Sequence, residues 1–309
     1  MKRIGFLAAA LFVAANAFAQ DAPDGVDAEK LEGTLQKIRT SGVVAIGYRE
    51  ASFPFSYTVK GGKRPIGYSL ELCDAIVDDI SEALDGRVIE VKYVPVTAET
   101  RIDAVESGRI DLECGSTTNN VERQKRVAFS PIFFVAGTKL LVHRGSPIKS
   151  YLDLNGKTVA VTAGTTNEQE LKRLAEQNKL KITFLVGRDH DESFENVVSG
   201  KANAFATDDA LLYGFIARKK AQKELIVVGD YLTYDPYGIM YRKNDPQMKK
   251  VVDGTFSRLA EGGNSEDGRG LEDIYARWFL RRLPTGEQLN LPMSAQLREI
   301  FRVLGLQEQ

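Results

Sequence analysis

A chain of 309 residues, 43% of them hydrophobic, is long enough to bury a substantial core and to divide into more than one lobe. Its 41 Lys and Arg nearly cancel its 42 Asp and Glu, leaving a formal charge of -1 and no large single-sign field, which argues against a nucleic-acid or membrane-surface footprint. Two cysteines are too few for a disulfide scaffold.

The N-terminus opens with Lys2 and Arg3, continues through an apolar run at 4–13 and reaches Ala17-Phe18-Ala19, a small-x-small cleavage pattern. Residues 1–19 therefore read as a removed secretory signal, too short and wrongly flanked for a membrane span. No Cys follows the cut, which argues against a lipid-anchored form, and no later apolar run is long enough to cross a bilayer. The mature chain is expected to be soluble and exported, which makes it periplasmic. In that oxidising compartment Cys73 and Cys114 either pair or remain buried thiols. Residues 20–34 are polar and are expected to be mobile.

From Leu35 onward, strands and helices alternate. A short helix precedes a strand at 43–48. A helix at 70–84 places Leu72, Ile76, Ile80 and Leu84 on one face, and a strand at 88–94 follows. A helix at 101–107 stops at Gly108, and a strand at 110–114 comes next. Such alternation predicts an α/β fold of βαβ units with mainly parallel sheets. "VESGRIDLECGS" (105–116) is echoed by "VVSGKANAFATD" (197–208), and "VVAIGYR" (43–49) by "TVAVTAG" (158–164). The order of these echoes predicts two lobes of similar plan. Lobe 1 is expected to begin at 35–136, lobe 2 to occupy 137–232, and 233–309 to return to lobe 1 with a C-terminal tail. Two crossing strands between the lobes would make a hinge.

Ligands of open α/β sheets lie beyond the carboxyl ends of strands. That rule collects Arg49, Ser116 to Thr118, Gly164 to Thr166 and Asp208. Arg123 follows Asn119-Asn120 in the first turns of a helix, where amides and dipole favour an anion and its fork can grip a carboxylate. Thr166, just before a helix at 167–177, offers similar chemistry from the other lobe. Asp208, with the Ser116 and Thr118 hydroxyls, suits an ammonium group, which together predicts an α-amino-acid site. Arg49, Arg101 and His190 remain, and two cleft arginines call for a second carboxylate on the ligand. Each residue also has a structural reading: exposed ion pairs for the arginines, a satisfied histidine, turns or helix caps for Ser116, Thr118, Thr166 and Asp208. Convergence at strand ends favours the binding reading. Phe53 and Phe55 could wall the cleft, although core packing is the commoner role of such aromatics.

The segments "GYRE…FPFSY" (47–57), "GYSLELCDAIV" (67–77), "ECGSTTNNVERQKRVAFS" (113–130), "GKTVAVTAGTTNE" (156–168), "DHDESF" (189–194) and "DDALL" (208–212) resemble those of the periplasmic solute-binding proteins of polar amino-acid ABC importers, family 3, and within it the glutamate/aspartate-binding branch. The resemblance implies a type II periplasmic-binding-protein fold with the ligand in the inter-lobe cleft. It assigns the α-carboxylate to Arg123 with the Thr118 and Thr166 amides, the α-ammonium to Asp208 with Ser116 and Thr118, and the side-chain carboxylate to Arg49, Arg101 and His190. It also implies a membrane permease as partner, a monomer, glutamate or aspartate as ligand with glutamine or asparagine as the nearest rivals, and no cofactor. Ala98 stands where that branch tends to carry Ser, a departure that would loosen selectivity.

The alternative is a cyclohexadienyl (arogenate/prephenate) dehydratase-like enzyme on the same fold, since fold does not fix function. Catalysis would need a positioned acid or base such as His190 or a cleft carboxylate. His143, His190 and the cysteines form no metal pattern, and neither a phosphate loop nor a Gly-x-Ser-x-Gly turn occurs. A ligand-sensing lobe of a receptor is a third class, and nothing in the chain supplies its membrane span or output domain. The expectation is a binding protein with no catalytic residue and no metal.

Overall fold

The computed structural model describes residues 30–262, 268–283 and 285–306; the expected signal at 1–19 and residues 20–29 lie outside the described residues. Helix α1 (Gly33–Ser41) leads into β1 (Val43–Tyr48), a short hairpin of β2 (Ala51–Ser52) and β3 (Ser56–Tyr57), α2 (Tyr68–Ala83), β4 (Glu90–Pro95), α3 (Arg101–Glu106), β5 (Leu112–Cys114), α4 (Val121–Gln124) and β6 (Val127–Phe129). The chain then crosses through β7 (Phe134–Ala136) into β8 (Thr138–His143), β9 (Thr158–Thr162), α5 (Thr166–Gln177), β10 (Thr183–Gly187), α6 (His190–Val198), β11 (Ala204–Asp208), α7 (Asp209–Lys219) and β12 (Leu225–Val228). It returns through β13 (Asp235–Tyr237) to β14 (Met240–Arg242), α8 (Pro246–Glu261), α9 (Leu271–Phe279) and α10 (Ala295–Leu304).

Two five-stranded sheets form, ordered β4-β1-β5-β14-β6 and β10-β9-β11-β8-β12. In each, three parallel strands meet an antiparallel fourth, β14 against β5 and β8 against β11. Each antiparallel strand directly follows a crossing segment, so each lobe completes its sheet with chain arriving from the other. The crossing strands β7 and β13 pair antiparallel, with Asp235 opposite Ala136 and Tyr237 opposite Phe134. This is a two-lobed type II binding-protein fold hinged on two strands.

Burial explains the local choices. Every residue of β5 and β11 is buried, as expected for strands covered on both faces. Helix α2 turns Leu72, Cys73, Ile76, Val77 and Ile80 inward at helical spacing. Cys73 is disulfide-bonded to Cys114, which ties α2 to the end of β5 where the site loop begins. At the C-terminus, α10 packs on α8 through an apolar stripe of Leu297, Phe301 and Leu304, with the Ser294 hydroxyl capping its first turn. Phe53 and Phe55 are fully buried packing residues. Phe55 sits 4.8 Å from Phe134 and 5.1 Å from Tyr237, ring centre to ring centre, so aromatic packing anchors both crossing strands.

The lobes meet across the cleft. The Thr118 hydroxyl of lobe 1 lies 3.3 Å from the Thr166 hydroxyl of lobe 2. Gly164, at φ 72°, brings lobe 2 so close to Glu99 that an added Cβ would lie 2.8 Å from the Glu99 backbone. On another face, Arg218 of α7 donates to the Thr58 carbonyl at 3.3 Å. The cleft is therefore shut in this structure.

Candidate functional site

Three arginines and a histidine from four different elements gather inside the closed cleft. Arg49 follows β1 and is 2% exposed, yet its Nη1 and Nη2 find no hydrogen-bond partner. Burial, with the neighbouring Arg101 cation, lowers its pKa to about 10. Arg101 opens α3, is also 2% exposed, and donates through Nη1 to the Thr117 hydroxyl at 2.5 Å and the Ser116 carbonyl at 3.2 Å. Arg123 lies in the single-turn α4, whose N-cap Asn120 accepts the Arg123 amide at 2.9 Å. Its Nη1 donates to the Thr118 carbonyl at 2.8 Å, and burial plus Arg101 lowers its pKa to about 9. His190, the first residue of α6, shares a 3.0 Å hydrogen bond between Nδ1 and the Thr162 hydroxyl. Burial, Arg49 and Arg101 push its pKa well below the ordinary histidine value, so the imidazole is neutral.

The acidic wall is Asp208, the last residue of β11. It occupies the N-cap position of α7, but its side chain makes no cap bond, which separates it from the helix-cap reading. Instead Oδ1 accepts from Asn167 at 2.8 Å and Oδ2 accepts from the Tyr237 hydroxyl. Burial and the Asp235 carboxylate raise the Asp208 pKa far above the usual carboxylate range. A carboxylate has roughly four lone-pair directions, so two accepted bonds leave room for more donors.

The hydroxyl residues divide. Ser116 is buried and its Oγ has no partner. Thr118 donates to Asp235 Oδ1 at 3.1 Å, and so does Thr166 at 3.1 Å. The α5 helix starts at Thr166 and not after it, because the preceding Thr165 is the cap, its hydroxyl accepting the Glu168 amide at 3.1 Å. The structure thus brings Arg101 within electrostatic reach of Arg49, Arg123, His190 and Asp208, and joins Ser116, Thr118 and Thr166 to this group through Arg101 on the Ser116 carbonyl, Arg123 on the Thr118 carbonyl and the Thr118–Thr166 hydroxyl contact.

The sequence patterns did not single out Glu113, Thr162, Asn167, Asp235 and Tyr237. Glu113 is wholly buried in β5; its Oε2 accepts from Thr117 at 2.6 Å, which in turn receives Arg101. Glu113 brings an acid to the arginines from a different segment: β5 pairs with β1 so that Glu113 stands opposite Gly47, two residues before Arg49. A charged residue inside a central strand was the available signal. Among the described residues no group of three or more His, Cys, Asp and Glu is placed to hold a metal ion. Nor is any helix there long and apolar enough to cross a membrane.

Paired crossing strands, a shut cleft and charged groups from both lobes turned inward define a receptor that encloses a small polar solute. Residues 44–281 match the bacterial extracellular solute-binding proteins, family 3, and the chain belongs to that family. It is 42% identical to the L-glutamate/L-aspartate-binding protein of Pseudomonas aeruginosa over 277 residues, covering 89% of this chain and 90% of that one. The glutamate/aspartate import solute-binding protein of Escherichia coli is 39% identical over 270 residues, 87% of each. Among solved structures, an ancestral amino acid-binding protein described as a precursor of cyclohexadienyl dehydratase is 29% identical, with a TM-score of 0.67 over 80% of this chain and 99% of that one. The two curated relatives are named as binding proteins, not enzymes, which favours the receptor over the dehydratase alternative.

Proposed function

We propose that this protein captures L-glutamate or L-aspartate in the periplasm and delivers it to the membrane permease of an ABC importer. The observation that carries the reading is the Arg49 guanidinium, buried with Nη1 and Nη2 unpaired and near His190 and Arg101, while the buried Ser116 hydroxyl also lacks a partner. A buried cationic fork without an acceptor costs several kcal/mol by general experience, so the natural partner is an anion that enters with the ligand. The α-carboxylate lies with Arg123 and the Thr118 and Thr166 amides, and the α-ammonium with Asp208, Ser116 and Thr118. The second carboxylate meets Arg49, with Arg101 behind it and neutral His190 as a hydrogen-bonding partner. In this reading residues 35–136 and 233–309 move as one lobe, 137–232 as the other, residues 1–19 are removed on export, and the mature protein works as a monomer.

Similarity to the Pseudomonas aeruginosa and Escherichia coli proteins supports the acidic amino acids as ligands. Calorimetry with glutamate, aspartate, glutamine and asparagine tests it. Acidic ligands should bind more tightly by about 1.5 to 3 kcal/mol, the worth of a hydrogen bond to a charged group. Glutamine bound as tightly as glutamate would leave only a general polar amino-acid receptor, and consumption of the bound ligand would reinstate the enzyme.

A further inference from the structure

The returning strand β13 does more than connect the lobes. Asp235 and Tyr237 are two residues apart and therefore leave the strand on the same face. Tyr237 holds Asp208 of lobe 2. Asp235, 2% exposed, receives the Thr118 hydroxyl from the lobe 1 loop and the Thr166 hydroxyl from the start of α5 in lobe 2, both at 3.1 Å on the same Oδ1, while Oδ2 accepts from Thr233. One buried carboxylate on the hinge thus ties together the two cleft walls.

We infer that Asp235 is a closure latch, whose carboxylate bonds Thr118 and Thr166 at the same time only when the lobes are shut. The two threonines belong to different lobes, so opening breaks at least one charge-assisted hydrogen bond, and a bond made in only one state shifts the population toward it. Both threonines also lie at the α-amino-acid end of the site, so the latch acts on every amino-acid ligand alike and not on side-chain choice. The inference rests on the proposed function for the identity of the ligand, whereas the latching bonds lie within the protein. The charged and titratable groups that feel Asp235 are Asp208, Tyr237 and Arg123. Asp235 helps to hold the proton affinity of Asp208 high. Removing its charge therefore lets Asp208 ionise at lower pH.

The test compares wild type, Asp235→Ala and the near-isosteric Asp235→Asn by stopped-flow dissociation of amino acids between pH 4.5 and 8, with fluorescence energy transfer between one dye on each lobe. Asp235→Ala should release glutamate, aspartate and glutamine faster by a common factor, on the order of 10- to 100-fold, and lower the closed fraction at saturation. Asp235→Asn should retain more of the closed state and move the acid limb of binding to lower pH, a shift that loss of strand packing alone would not produce. Unchanged dissociation in Asp235→Ala, or an unmoved acid limb in Asp235→Asn, would overturn the latch. Wild type carried through the common amino acids separates the two claims. If it ignores glutamate but closes on another amino acid, the ligand assignment falls and the latch is judged on that ligand; closure on none overturns both.

Discussion

Replacing Arg49 by Met should raise the stability of the ligand-free protein while destroying its preference for acidic ligands. Met fills much of the same volume and needs no hydrogen-bond partner, whereas the Arg49 fork is buried with Nη1 and Nη2 unpaired. Exchanging a poorly compensated buried ion for a packed apolar side chain commonly stabilises a protein by about 1 to 4 kcal/mol. Glu113 attracts Arg49 and would lose that compensation, so the lower end applies, about 1 kcal/mol. That corresponds to a rise of about 2 °C in melting temperature. Bound glutamate loses far more: truncating one partner of a buried charged pair costs about 2 to 5 kcal/mol, at least roughly thirty-fold in affinity. Glutamine, which offers the fork only a neutral carbonyl, should lose about 0.5 to 1.5 kcal/mol. Scanning calorimetry of the ligand-free proteins and titration calorimetry with both ligands measure the two effects. Unchanged glutamate affinity would remove Arg49 from the site. A melting temperature lowered by several degrees would show that Arg49 is there to neutralise Glu113.

Gly164→Ala should weaken glutamate and glutamine alike by at least about tenfold: it puts a side chain at φ 72°, where strain is about 1 to 2 kcal/mol, and drives Cβ into Glu99 when the cleft shuts. A solution-scattering radius that contracts with ligand as it does in wild type would refute the steric argument. For pH, the folded-state pKa of Asp208 is raised, so its protonation stabilises the ligand-free fold fully below about pH 4, and that contribution is lost as pH rises through the folded pKa. Melting curves of Asp208→Asn should therefore decline less steeply over that window than wild type, and parallel curves would contradict the assignment. Removing the Cys73–Cys114 disulfide, which joins residues 41 apart, by double substitution to Ser should cost about 4 kcal/mol on the chain-entropy estimate, read by guanidinium denaturation.

The parts of this protein legible from sequence are those set by short-range pattern. Helical spacing of Leu72, Ile76 and Ile80 marks α2, and the strand-end rule brings together Arg49, Ser116, Thr118, Thr166 and Asp208 because each follows or ends a strand, or opens the next helix, in its own segment. Glu113 and Asp235 escape that logic for different reasons. Glu113 lies inside a strand assumed to be apolar, and its neighbour Arg49 reaches it only through the long-range pairing of β1 with β5. Asp235 lies in a crossing strand that reads as a connector, and its partners Thr118 and Thr166 are 117 and 69 residues away in the chain. The omission of Glu113 alters the charge argument for the ligand. Two cleft arginines called for a ligand carboxylate to balance them, but Arg101 is already joined to Glu113 through the Thr117 hydroxyl. Its Nη1 is committed to protein acceptors, whereas both terminal nitrogens of Arg49 are not. Under the proposed function, acidic selectivity would therefore rest mainly on Arg49, while burial, Arg49 and Arg101 together keep His190 neutral.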